Sequence, residues 1–209
     1  DFKTGEKNGE GLKSIIKDLP DKTGTEYSEA EKTVLSRVAP EDLAGKNETC
    51  GKATAYRLAK RVIEREAQGK QTGVDVDAAK VVVKEGKAEY EAVSQRMQAY
   101  ESRALKYLAD SGAIGKAEEK AIHRMSKEYV PLARLLEDDP FSVKPTGAGG
   151  PKRFKGSESL IRDPFETSQA NVQAMIRAAE KNRLFKSLAD VQIKADKDAP
   201  TLMQRKLSK

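Results

Sequence analysis

Apolar residues along this chain recur mainly at steps of three and four, the spacing of one helix face. The most regular run lies between Asp75 and Asp110, where Ala79, Val83, Tyr90, Val93, Met97, Tyr100, Ala104 and Leu108 follow one another. Gly86 fills the one missing beat. A heptad-like, coiled-coil-type seam of about five repeats predicts one helix of roughly 35 residues, about 50 Å long at 1.5 Å per residue. The tyrosines and Met97 at this spacing read as packing residues. Gly86 weakens the helix by roughly 1 kcal/mol relative to Ala and marks a bend or a close helix crossing.

The same pattern, with its punctuation, divides the rest of the chain. Residues 1–26 are rich in Gly, Lys and Asp, leaving Leu12, Ile15, Ile16 and Leu19 to pack; a poorly ordered segment with one short helical turn near Pro20 is expected. Ser28 and Glu31 form a capping-box pattern that opens a short helix through Val34, Leu35 and Val38, ended by Pro40. Gly45–Gly51 reads as a loop. A second helix is predicted over about Lys52–Gln68, with Gly69 at its C′ position. Ser111-Gly112 ends the long helix, and Lys116–Leu136 predicts the next. Pro131 falls inside that pattern, where it removes a hydrogen bond and kinks the helix.

Residues 141–157 form a linker of Gly, Pro and basic residues, among them Gly147, Gly149, Gly150, Lys152, Arg153 and Lys155. Past it, Asp163 is a suitable N-cap, Pro164 suits the first helical position and Glu166 stands three residues after the cap. Val172, Ile176 and Ala179 recur at helical spacing, and Leu184, Leu188 and Val191 continue the apolar surface further round. This predicts a capped C-terminal helix within residues 158–193, followed by a basic tail over 194–209. The expectation is therefore an all-α fold: an elongated bundle of about five helices over residues 27–140 and 158–193, with one long helix and one proline-kinked helix. Pro131, Gly147, Gly149 and Gly150 are the candidate hinge.

Composition supports long helices over a compact catalytic core. Charged residues make up 34% of the 209 residues against 37% hydrophobic, aromatics are 5% and Trp is absent. Charge is uneven: residues 1–150 carry 26 Lys/Arg and 26 Asp/Glu, residues 151–209 carry 13 and 7, so the surplus of +6 sits in the last stretch. Such a footprint suits phosphates or acidic surfaces. The single Cys50 forms no internal disulfide, and no apolar run approaches the roughly 20 residues of a membrane span. Asp1 in place of Met suggests a fragment or a processed product.

The residues offer little chemistry. His123 is the only histidine and Cys50 belongs to a different predicted element, which excludes multi-His zinc sites and disfavours Cys–His or Ser–His catalysis. Asp75-Val76-Asp77 begins like a calcium loop, but Ala79 and Lys80 replace the next ligand and the turn glycine, so Asp75 or Asp77 reads as a helix cap. Gly147-Ala148-Gly149-Gly150-Pro151-Lys152 departs from a Walker loop because Pro151 separates Gly from Lys and no strand precedes it. No cofactor is implied and no enzyme is expected. Lys152, Arg153, Lys155 and Arg162, gathered before a helix N-terminus, are the candidate phosphate or DNA contacts. Asp163 and Glu166 at that start reduce the attraction, and Phe154 either stacks on a base or anchors the loop to the core.

One series of short motifs carries a resemblance. Tyr129-Val130-Pro131-Leu132-Ala133-Arg134, a basic glycine-containing linker, Lys155-Gly156-Ser157, Asp163-Pro164-Phe165-Glu166, Asn171 and Ala178-Ala179-Glu180-Lys181-Asn182-Arg183 stand in that order. Together, over roughly Ala53 to Ala189, they resemble a helical region of very large tailed-phage and mobile-element proteins, the internal virion (ejection) and polyvalent proteins. The resemblance implies a non-catalytic module of a larger chain, held in the virion interior and delivered to the host cell envelope or cytoplasm on infection. It implies copies of itself or other virion proteins as partners, with double-stranded DNA as a further one, in the capsid or in a DNA-delivery tube during genome ejection. The alternative it leaves open is a nucleic-acid-binding accessory module of a large polyvalent replication or anti-defence protein.

Overall fold

The computed structural model describes residues 11–125 and 160–198. These residues form seven helices and no strand: α1 (Leu12–Lys17), α2 (Glu29–Leu35), α3 (Pro40–Leu43), α4 (Glu48–Ala67), α5 (Val76–Ser111), α6 (Lys116–Met125) and α7 (Pro164–Asp198). The fold is all-α. Pro131 and the kink expected there lie outside the described residues, as do Gly147, Gly149 and Gly150.

The organising element is α5, 36 residues long, against which α1, α2, α4, α6 and α7 all pack. Both its ends are chemically specified. The Asp75 carboxylate accepts the Ala78 N–H at 2.7 Å, and Gly112 closes the helix in the left-handed region at φ 81°. The capping box at Ser28 is complete: Glu31 N–H donates to Ser28 Oγ at 3.2 Å and Ser28 N–H to Glu31 Oε2 at 2.8 Å. Two boundaries differ from expectation. Pro40 opens the one-turn α3, occupying the first helical position where its missing N–H is harmless. And α4 begins at Glu48, so Gly51 is helical; Asn47 Oδ1 accepts the Cys50 N–H at 3.1 Å and supplies the cap.

Two clusters make the core among the described residues. One joins Val34, Leu35 and Val38 to Ala55, Leu58, Ala59 and Val62 of α4, Ala79 and Val82 of α5, and Ile161. The other joins Ile15 and Leu19 to Ala53 and Tyr56 of α4, Tyr90, Val93 and Met97 of α5, and Phe165. The glycine-rich N-terminal stretch is thus tied down over its described part: Ile15 is buried, Lys22 N–H donates to Thr49 Oγ1 at 2.8 Å, and Gly24 N–H to Glu48 Oε2 at 3.1 Å. Helix α4 is buried on every side from Ala53 to Ala59, as expected of a helix enclosed by its neighbours.

Gly86 marks a close crossing. A Cβ there would stand 2.8 Å from the Tyr56 ring and 3.0 Å from that of Tyr90. The two rings meet at 5.7 Å between centroids, and Tyr56 Oη donates to Glu91 Oε2 at 2.5 Å.

Candidate functional site

Among the described residues the last element, α7, is held at its start and middle and exposed along its distal half. Its start is stitched to the bundle by backbone and by carboxylates. Ile161 N–H donates to the Arg37 carbonyl at 2.7 Å and Ala39 N–H to the Ile161 carbonyl at 2.9 Å, an isolated parallel bridge with Val38. The Asp163 side chain is fully buried. It caps α7 by accepting the Glu166 N–H at 2.9 Å, accepts the Thr54 hydroxyl at 3.0 Å and pairs with Lys46 Nζ at 2.5 Å. Asp163 N–H donates to Asp42 Oδ2 at 2.8 Å, the place a capping-box Glu166 would fill, while Glu166 Oε1 stands 3.8 Å from Lys46 Nζ.

Of the sequence-predicted phosphate contacts, the described one is Arg162, whose guanidinium donates to Asp42 Oδ1 at 3.1 Å. Its charge is met within the bundle. Lys152, Arg153 and Lys155 lie outside the described residues. So Arg162, Asp163 and Glu166 do converge, but Asp42 and Asp163 supply two carboxylates to the same place, and an anion would meet them both.

One turn further along α7, Ser168 Oγ donates to Glu101 Oε1 of α5. Glu101 also accepts from Arg57 NH2 of α4 at 3.0 and 3.2 Å, with both side chains almost fully buried. The Arg57 guanidinium lies 5.3 Å from the Phe165 ring centre. Burial pushes the Glu101 carboxyl above its ordinary value, with Arg57 and the Ser168 bond opposing. These polar residues bind helices to one another and present no open face.

Halfway along, α7 closes the C-terminal end of α5. Asn182 Nδ2 and Lys186 Nζ donate to the Ser111 carbonyl at 2.8 and 2.6 Å, a cation placed where the α5 dipole favours it. Arg183 NH1 donates to Tyr107 Oη at 2.9 Å, and Tyr107 Oη to Glu180. At 100° per residue the face carrying Asn182 and Lys186 is opposite the one carrying Leu184, Leu188 and Val191. Those three are 58%, 55% and 64% exposed, and Phe185 beside them is 56% exposed. The helix runs on to Asp198, past Lys194 where the sequence suggests a break; residues 194–198 are ordinary helix formers, and Pro200 is the first strong breaker.

Other candidate groups are ordinary. His123 is exposed on α6. Burial raises the half-buried Cys50 thiol, which keeps its thiolate fraction low. Among the described residues no group of three or more His, Cys, Asp or Glu is placed to hold a metal ion. A cavity of about 450 Å³ lies between Tyr27 and Gly86. Charges on its wall pair internally, Lys22 with Glu89 at 2.8 Å and Lys52 with Glu31 at 3.1 Å. No helix among the described residues is long and apolar enough to cross a membrane. No family model matches the chain, and no curated protein or solved structure matches it.

Proposed function

We propose that this chain is a non-catalytic structural segment of a large phage internal virion (ejection) protein, assembling with copies of itself or with other virion proteins inside the capsid or in a DNA-delivery tube. The observation that carries the assembly part of this reading is the apolar face of distal α7 that the described residues leave exposed, on a helix fastened at its start by buried Phe165, Val172 and Ala179 and in its middle by Asn182 and Lys186. Exposed apolar patches of this kind serve association. The buried charges fit the same reading, because Arg57, Glu101 and Asp163 are spent on joining helices. The phage setting rests on the motif resemblance from Tyr129 to Arg183.

Light scattering on the purified chain tests it. The expected mass is a multiple of the 22.9 kDa chain, rising with concentration. A strictly monomeric, compact particle at high concentration contradicts it.

The second reading, a nucleic-acid-binding accessory module, is favoured by the basic surplus after residue 150 and by exposed Arg177, Lys181 and Lys194 on α7. It predicts DNA affinity that falls steeply with salt and is lost when Lys152, Arg153 and Lys155 are replaced by Ala. Arg162→Ala, by contrast, leaves that affinity nearly unchanged, since Asp42 already takes its charge.

A further inference from the structure

We infer that the cavity between Tyr27, just before α2, and Tyr90 of α5 binds a small aliphatic diamine, whose ammonium groups are taken by Glu26, Glu85 and the Tyr90 hydroxyl. No residue of α7 lines it, so the site is separate from the assembly surface and needs no second copy.

An unmade hydrogen bond points to a ligand. Tyr90 is only 4% exposed and forms part of the cavity wall, yet its hydroxyl has no hydrogen-bond partner. Buried polar groups are as a rule satisfied by protein, ordered water or a ligand. Burial, and then the charges of Glu89 and Glu31, hold the Tyr90 pKa well above its ordinary value, and both carboxylates belong to the same wall. Glu89 acts on it by charge while its own carboxylate is bound by Lys22. The hydroxyl therefore stands on the cavity side, protonated, with its oxygen free to accept from an ammonium.

Charge selects the ligand. Four glutamates and two lysines line the cavity. Lys22 is taken by Glu89 at 2.8 Å and Lys52 by Glu31 at 3.1 Å. Glu26 and Glu85 form no ion pair among the described residues, which leaves a surplus of two negative charges. No three acidic residues gather among the described residues as a metal ion requires, so the surplus is spread along the wall and suits an extended dication. Lys52 shows how an alkyl-ammonium rests here: its Nζ lies 5.5 Å from the Tyr27 ring centre and donates to the Glu26 carbonyl at 2.7 Å. The cavity, about 450 Å³, falls within the roughly 300–1,000 Å³ of small-molecule sites, and Val82 and Tyr27 offer the alkyl chain apolar contact.

Calorimetric titration of the full chain with putrescine at fixed ionic strength tests the site, with butylamine and magnesium chloride as comparison probes. Putrescine is expected to bind with a dissociation constant of about 0.1–1 mM, fitting for so small a ligand, and at least about tenfold more tightly than either comparison probe. Glu26→Gln with Glu85→Gln, both on exposed residues, is expected to weaken it at least about tenfold. Tyr90→Phe separates ligand from fold. Removing a hydroxyl that the protein itself leaves unpaired is expected to keep or raise the melting temperature without ligand, while putrescine binding falls about three- to tenfold. A Tyr90→Phe chain that melts earlier and binds putrescine like the parent puts the hydroxyl in the service of the fold and overturns the site. Magnesium or butylamine binding as tight as that of putrescine marks diffuse surface charge and overturns it as well. So does the absence of putrescine binding at about 10 mM ligand.

Discussion

Arg57 of α4 and Glu101 of α5 form an ion pair at 3.0 Å with side chains only 2% and 3% exposed, and Ser168 of α7 donates to the same carboxylate. Three helices therefore share one buried charge. Breaking such a pair strands its partner, at a cost of about 3–5 kcal/mol. Glu101→Ala is expected to destabilise the fold by that amount in urea titration. Arg57→Met combined with Glu101→Leu is expected to cost much less than the single change, because no lone charge remains.

The same carboxyl makes a pH signature. Burial raises its native pKa above the ordinary 4.5. Between that value and the raised one the native state holds more protons than the unfolded chain, so this group's contribution falls as pH rises through the window and is flat above it. The difference between wild-type and Glu101→Gln urea midpoints, followed upward from about pH 4.5, is expected to shift steadily in the variant's favour and then level. A constant difference would mean that Glu101 ionises as it does in the unfolded chain.

Gly86→Ala sets two known effects against each other. Helix propensity favours Ala by roughly 1 kcal/mol. The added methyl would press on the buried rings of Tyr56 and Tyr90 at 2.8 and 3.0 Å, and such overpacking costs about 1–3 kcal/mol. The rings have little room, since Tyr56 is fully buried. A net loss of stability is expected in thermal or urea unfolding; a gain would show that α4 and α5 part easily at this crossing.

Asp163→Ala removes the α7 cap and leaves Thr54 and Lys46 without their acceptor. Cap and buried-polar losses together suggest about 2–4 kcal/mol. Hydrogen exchange is expected to accelerate first at the amides of residues 161–168. Asp163→Asn, which keeps an oxygen acceptor for the cap, should lose less.

What could be read from sequence was whatever is decided within four residues. Asp75 and Gly112 bracket α5, and Ser28 with Glu31 opens α2, because each cap closes on its own turn. The seam was harder. Val82, Ser94, Glu101 and Leu105 are buried while Val83, Tyr100 and Leu108 are only half-buried. Counting apolar residues alone finds Tyr90, Met97 and Ala104, all buried, but passes over Ser94 and Glu101, which complete a series stepping four, three, four, three. A glutamate on a seam step is the signal that marks a buried pair. Its partners, 44 residues earlier and 67 later, leave no local trace, nor does Asp42, 121 positions before the amide it accepts. At Leu184, Leu188 and Val191 the stripe was legible but its exposure was not, because that depends on α5 ending at Ser111.

The bridge between Val38 and Ile161 sets an order of events during synthesis. Ile161 belongs to the cluster around Val38, Leu58 and Ala59, yet leaves the ribosome some 120 residues after Val38. Until then the nascent chain keeps an oily notch open on α2 and α4. The early helices must wait for a plug encoded far downstream, and a truncated translation product would be a sticky one.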